Sequence, residues 1–146
     1  MKRKEEIRTH MVTGICLVLS MLFIYTAVSK MLHLDTFRFQ LEKMPYIKTY
    51  ASLLYLMVPI LELVISGLLL FTKYRMLALY TSLTLLFLFT GYIGFVLRFS
   101  DTVPCSCGGV LSSLGWIEHI IFNFLFMVLC LWAIVLHRKI YRLKTL

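Results

Sequence analysis

Four long apolar runs dominate this chain, and each has the length a helix needs to cross hydrocarbon. About 20 residues span the roughly 30 Å interior of a bilayer. Met11–Ser29 carries no charge, and Thr49–Thr72 carries only Glu62. Met76–Leu97 is uncharged. A fourth run, from about Gly115 to Leu136, has Glu118 and His119 at its entry and no charge beyond them. Leu, Ile, Val and Phe lie all round each run, as lipid contact requires. A bilayer core offers no water to unpaired backbone, so helices are the natural solution. Composition agrees: 60% of the residues are hydrophobic and 15% charged, against about 45–50% and about 25% in soluble domains. The expected fold is all-α: a single polytopic domain over residues 1–146, with spans at about 11–29, 51–72, 76–97 and 116–136.

A net charge of +8 invites a nucleic-acid reading, but the basic residues sit at the ends of the apolar runs. Lys2, Arg3, Lys4, Arg8, Lys73, Arg75, Arg138, Lys139, Arg142 and Lys144 fall on one side of such a bundle. Lys30, Arg38, Lys43, Lys48 and Arg98 fall on the other. The positive-inside rule then predicts cytoplasmic N- and C-termini. It turns Lys30–Lys48 and Phe99–Gly115 outward, and no nucleic-acid partner is expected. A competing reading takes Lys2–Lys4, the first run and Ala27-Val28-Ser29 as a cleaved signal peptide, which would leave three spans. The run is at or beyond the upper length for such a peptide and Lys30 follows at once, so a retained span is preferred.

Between the first two spans, Leu34, Phe37, Leu41 and Met44 recur at helical spacing, with Asp35, Arg38 and Glu42 elsewhere. This pattern predicts a short interfacial helix ended by Pro45, packed as a lid over the bundle.

The four cysteines are of two kinds. Cys16 and Cys130 lie at similar depth within spans one and four, where buried thiols usually act as small inert hydrophobes. Cys105 and Cys107 stand in Val103-Pro104-Cys105-Ser106-Cys107-Gly108-Gly109, on the side predicted to be outward and oxidising. Two extended residues cover at most about 7 Å, and disulfides need Cα separations of about 4.4–6.8 Å. A bond between them therefore requires a tight turn, for which Pro104 and the two glycines are suited. A strained, exposed disulfide is exchange-prone, which favours a redox role. Two other readings stay open: a structural staple or free thiols, and soft-metal binding by Cys105 and Cys107 with His119 as a third ligand.

Span four opens Trp116-Ile117-Glu118-His119. On a helix, Trp116, His119, Asn123, Met127 and Cys130 share one stripe. His119 is thereby expected beneath the thiol pair, as a proton carrier for a thiolate or as interhelical hydrogen-bonding glue together with Asn123. Glu62, near the middle of span two, is the costliest residue in the chain and a site candidate by default. It is held neutral, fixed by a structural hydrogen bond, or paired with a base. Lys30 is the candidate base, although its depth requires it to reach inward.

Taken in order, Ser29-Lys30, the Phe37 region, Pro59-Ile60-Leu61-Glu62, Cys105-Ser106-Cys107-Gly108-Gly109, and then Trp116, His119 and Asn123 give the chain a resemblance. It resembles the DoxX-like four-helix membrane proteins, in particular the methylamine utilisation protein MauE branch, over nearly its whole length. The resemblance implies a bacterial inner-membrane, redox-associated protein. The family's named member assists maturation of the disulfide-rich subunit of methylamine dehydrogenase. By carry-over, Cys105 and Cys107 match the family's C-x-C pair. One departure is Gly108-Gly109, where such proteins often have Phe-Gly.

The functional expectation is thiol–disulfide exchange with an exported or periplasmic protein, carried by Cys105, Cys107 and His119 and supported by Glu62, Lys30, Asn123 and Trp116. The alternatives are a non-catalytic assembly factor and a soft-metal handler. No nucleotide motif, hydrolytic triad or quinone signature is present, so no cofactor is implied and the redox partner is unassigned.

Overall fold

The computed structural model describes residues 2–44, 46–99 and 116–144. Among these the regular structure is helical: α1 (Lys2–Leu32), α2 (Leu34–Lys43), a 3-10 turn (Lys48–Tyr50), α3 (Ala51–Leu70), α4 (Arg75–Phe99) and α5 (Trp116–Lys144). Four of these helices are long and apolar enough to cross a membrane. The protein is thus an all-α polytopic bundle. The helices overrun the expected spans, since α1 begins at Lys2 and α5 runs on to Lys144. The lipid stops selecting apolar side chains where hydrocarbon ends. The backbone ladder continues through Lys, Arg, Glu and Leu, all good helix formers. In contrast, α3 stops at Leu70, where Phe71 turns extended.

Around the bundle the order is α1–α3–α4–α5, each spanning helix packing on two neighbours. Successive helices alternate in direction. One end therefore carries the start of α1 and the end of α5, and the other carries α2. On α1, Val12, Cys16, Leu19 and Phe23 form the inward stripe, the spacing that stacks side chains on one helical face. Small residues buried on partner helices, Ala78, Ser82 and Ala133, allow close helix approach. Leu17, Met21, Phe87, Ile121 and Phe124 are exposed. In water they would form an aggregating patch; here they are the lipid surface.

Removing apolar surface from water contributes little inside a bilayer, so packing carries the stability. Leu79→Ala is expected to cost about 2 kcal/mol through the cavity it leaves. Ser20 Oγ donates to the carbonyl oxygen of Ser66, 3.1 Å away across the α1–α3 contact. Ser20→Ala should cost only about 0.6 kcal/mol. Denaturation of the reconstituted protein checks both values, and equal costs would refute this ranking.

Two local features set the α2 end. Phe37 and Leu41 are buried with Ala51, so α2 lies on the start of α3 as a lid. Met44 closes α2 in an extended conformation, the one favoured before a proline. Beyond it, Tyr46 has φ 69° and sets its ring edge-on to Phe95 of α4, with centroids 5.5 Å apart. At the opposite end, Arg75 is one of the basic residues counted in the turn between the second and third apolar runs. It instead opens α4, buried against α1, and its Nη1 donates to Thr13 Oγ1 at 3.2 Å.

Candidate functional site

Beneath α2 the polar residues of three spanning helices converge. Lys30 Nζ lies 2.7 Å from Glu62 Oε1 and 3.0 Å from Oε2, a forked charge-assisted pair. The Glu62 side chain is 3% exposed and that of Lys30 18%. The Ser20–Ser66 register sets Glu62 opposite about residue 24 of α1, leaving Lys30 roughly 9 Å further along the axis. Side-chain direction closes that gap. Cα–Cβ bonds tilt toward the N-terminus of their own helix, so on these antiparallel helices Lys30 leans into the bundle and Glu62 leans out toward it. The Lys30 ammonium also sits 5.9 Å from the centroid of Phe37, close enough for a cation–π attraction that ties the lid to the ion pair.

His119 lies in the first turn of α5, three residues after Trp116 opens the helix. Its ring is half-buried, and both nitrogens are shielded from solvent with no hydrogen-bond partner among the described residues. Asn123, one turn on, is buried. With Met127 half-buried and Cys130 fully buried, the sequence-predicted stripe of α5 faces inward from His119 onward. Cys105 and Cys107 lie outside the described residues, as does the side chain of Trp116.

A cavity of about 390 Å³ occupies the space under α2, with walls from all five helices. Lys30, Glu62, His119 and Asn123 line it together. Thr26, Phe89 and Tyr92 also line it and escaped sequence reasoning. An aromatic residue in an apolar helix carries no mark of whether it faces lipid or protein. Thr26 is one hydroxyl among several in a span.

Cys16 and Cys130 are free thiols buried in one cluster, on the adjacent helices α1 and α5. The Arg38–Glu42 pair on α2 is about half exposed and contributes little. Among the described residues, no three metal-ligating side chains converge.

Residues 8–136 match the family described as methylamine utilisation protein MauE. No curated protein and no solved structure matches the chain. The family match covers most of the chain and agrees with four helices long enough to span a bilayer, which makes this a multi-pass membrane protein. The chain belongs to the methylamine utilisation protein MauE family.

Proposed function

We propose that Cys105 and Cys107 exchange disulfides with an exported protein at the α2 end of the bundle, and that this end faces outward from a bacterial inner membrane, with both termini cytoplasmic. The observation that carries the reading is His119, an imidazole without a hydrogen-bond partner among the described residues, in the first turn of the helix that follows the C-x-C segment. Phe99 ends α4 and Trp116 begins α5 at that same end, so residues 100–115 bridge two neighbouring helices there. Family membership supports a membrane protein associated with methylamine utilisation. The excess of Lys and Arg at the terminal end supports the orientation.

The chemistry balances without a resident cofactor. His119 takes a proton from one thiol, and the resulting thiolate attacks a sulfur of the partner's disulfide. That S–S bond breaks, a mixed disulfide forms, and the released partner sulfur takes a proton. The second thiolate then attacks the mixed disulfide, forming the Cys105–Cys107 bond and releasing the partner as a dithiol. Two electrons and two protons pass to the partner. The reverse sequence oxidises a partner dithiol, and a second thiol–disulfide protein resets the pair.

Differential alkylation of intact cells, read by mass spectrometry at each cysteine, tests this. A membrane-impermeant reagent should label both thiols after reduction, with the oxidised fraction changing as the partner's redox state changes. A pair that is always oxidised would identify a staple, and labelling released only by a chelator would identify a metal site. If lysed cells label readily while intact, reduced and chelated cells do not, the outward-facing assignment is wrong.

A further inference from the structure

The cavity under α2 is larger than its polar residues can fill with water. At roughly 30 Å³ per molecule its 390 Å³ has room for about a dozen waters, each needing two to four polar partners. Eight of the lining residues carry a polar side-chain atom, two of them, Lys30 and Glu62, taken up with each other, and the rest of the wall is aliphatic or aromatic. The volume falls within the range of small-molecule sites, about 300–1,000 Å³.

Three observations define what fits. Phe23, Phe37, Phe89 and Phe122 line the space, and aromatic walls favour a flat ring body over a flexible chain. Lys30 and Glu62 neutralise each other at 2.7 Å, so a charged ligand would have to leave a buried partner unpaired, which is strongly unfavourable. Among the described residues, His119 has no hydrogen-bond partner for either ring nitrogen. A neutral imidazole supplies one donor and one acceptor, and its terminal torsion is broad enough to turn a nitrogen toward the space. Tyr25 and Leu88 line the cavity and are also exposed on the outside of the bundle, which gives access from lipid.

We propose that this cavity binds a neutral, ring-bodied molecule of the lipid phase that carries a carbonyl or hydroxyl oxygen, hydrogen-bonded by His119. The site does not depend on the reactivity of Cys105 or Cys107.

Benzophenone is a suitable probe, being a neutral diaryl ketone that inserts into nearby C–H bonds under near-ultraviolet light. The excited carbonyl takes the hydrogen, the two carbon radicals join, and the ketone becomes a tertiary alcohol, so its position is recorded as a mass increment. The full chain in phosphatidylcholine vesicles is irradiated at increasing probe concentration, and the peptides are mapped. Saturable adducts are expected at cavity residues such as Leu22 and Met44. Val58→Trp, which fills the space, should abolish the saturable component. His119→Phe keeps a ring and removes one hydrogen bond, so half-saturation should weaken by about five-fold. Helix content is checked by circular dichroism. Should Val58→Trp misfold, wild-type saturation and His119→Phe decide the matter. The proposal is overturned by adducts that rise linearly on lipid-facing Phe87 and Ile121 with no saturable set. It is equally overturned by a wild type and His119→Phe that label alike (an acyl chain in residence), or by no cavity adducts at all. Because the labelling needs no thiol, its failure is separable from failure of the exchange reading.

Discussion

Lys30→Met is expected to lower the unfolding free energy of the reconstituted bundle by about 3 kcal/mol, the cost of leaving a buried charge without its partner. The Glu62 side chain is only 3% exposed, while Lys30 is more open and can carry its ammonium to the interface on a flexible stem. Removal of the lysine should therefore cost more than Glu62→Gln. The double variant Lys30→Met/Glu62→Met should return to within about 1 kcal/mol of wild type, because replacing both members of a buried pair with apolar groups is often neutral. Denaturant titration of the four proteins closes a double-mutant cycle. A coupling energy near zero would mean that the two side chains do not interact, and the architecture of the site would have to be redrawn.

Loss of one thiol should produce a different and larger change. With Cys107→Ser or Cys105→Ser, whichever variant keeps the attacking thiol can still form the mixed disulfide but cannot resolve it. A covalent complex with the exported partner should then accumulate on non-reducing gels, turnover should cease, and membrane insertion should be unaffected. The other single variant and the double variant should show neither complex nor turnover. His119→Gln retains both thiols and should slow exchange by about 100-fold near neutral pH, the low end of what a positioned acid–base group contributes. Full turnover in the double serine variant would eliminate the redox function. An unchanged rate in His119→Gln would confine that residue to packing.

Much of this architecture was legible because lipid imposes a severe filter. A helix that crosses hydrocarbon needs about 20 apolar residues, and few soluble segments imitate that four times. The ends were less legible, since Lys2–His10 of α1 stays helical after the apolar requirement lapses. Phe37 and Leu41 announced the lid through spacing alone. Lys30 and Glu62 were legible as charges that needed company. Lys30 was named as the candidate base, and the inward reach that counting depth demanded of it comes from the direction in which the two side chains lean. Arg75 was read as a boundary charge because a sequence does not say which basic residue at a helix start turns inward. The contribution of α4 to the cavity had no signature, because Phe89 and Tyr92 suit lipid and protein equally.

The corner between α2 and α3 has a further consequence. Tyr46 has a φ of 69°, a conformation that costs a residue with a Cβ roughly 1–2 kcal/mol, and its ring packs edge-on against Phe95. Any conformation that lifts α2 away lets Tyr46 return to an ordinary backbone angle. Opening thus recovers part of what is lost in unpacking Phe37 and Leu41. The closed lid occupies a shallower energy well than the packing of Phe37 and Leu41 alone implies.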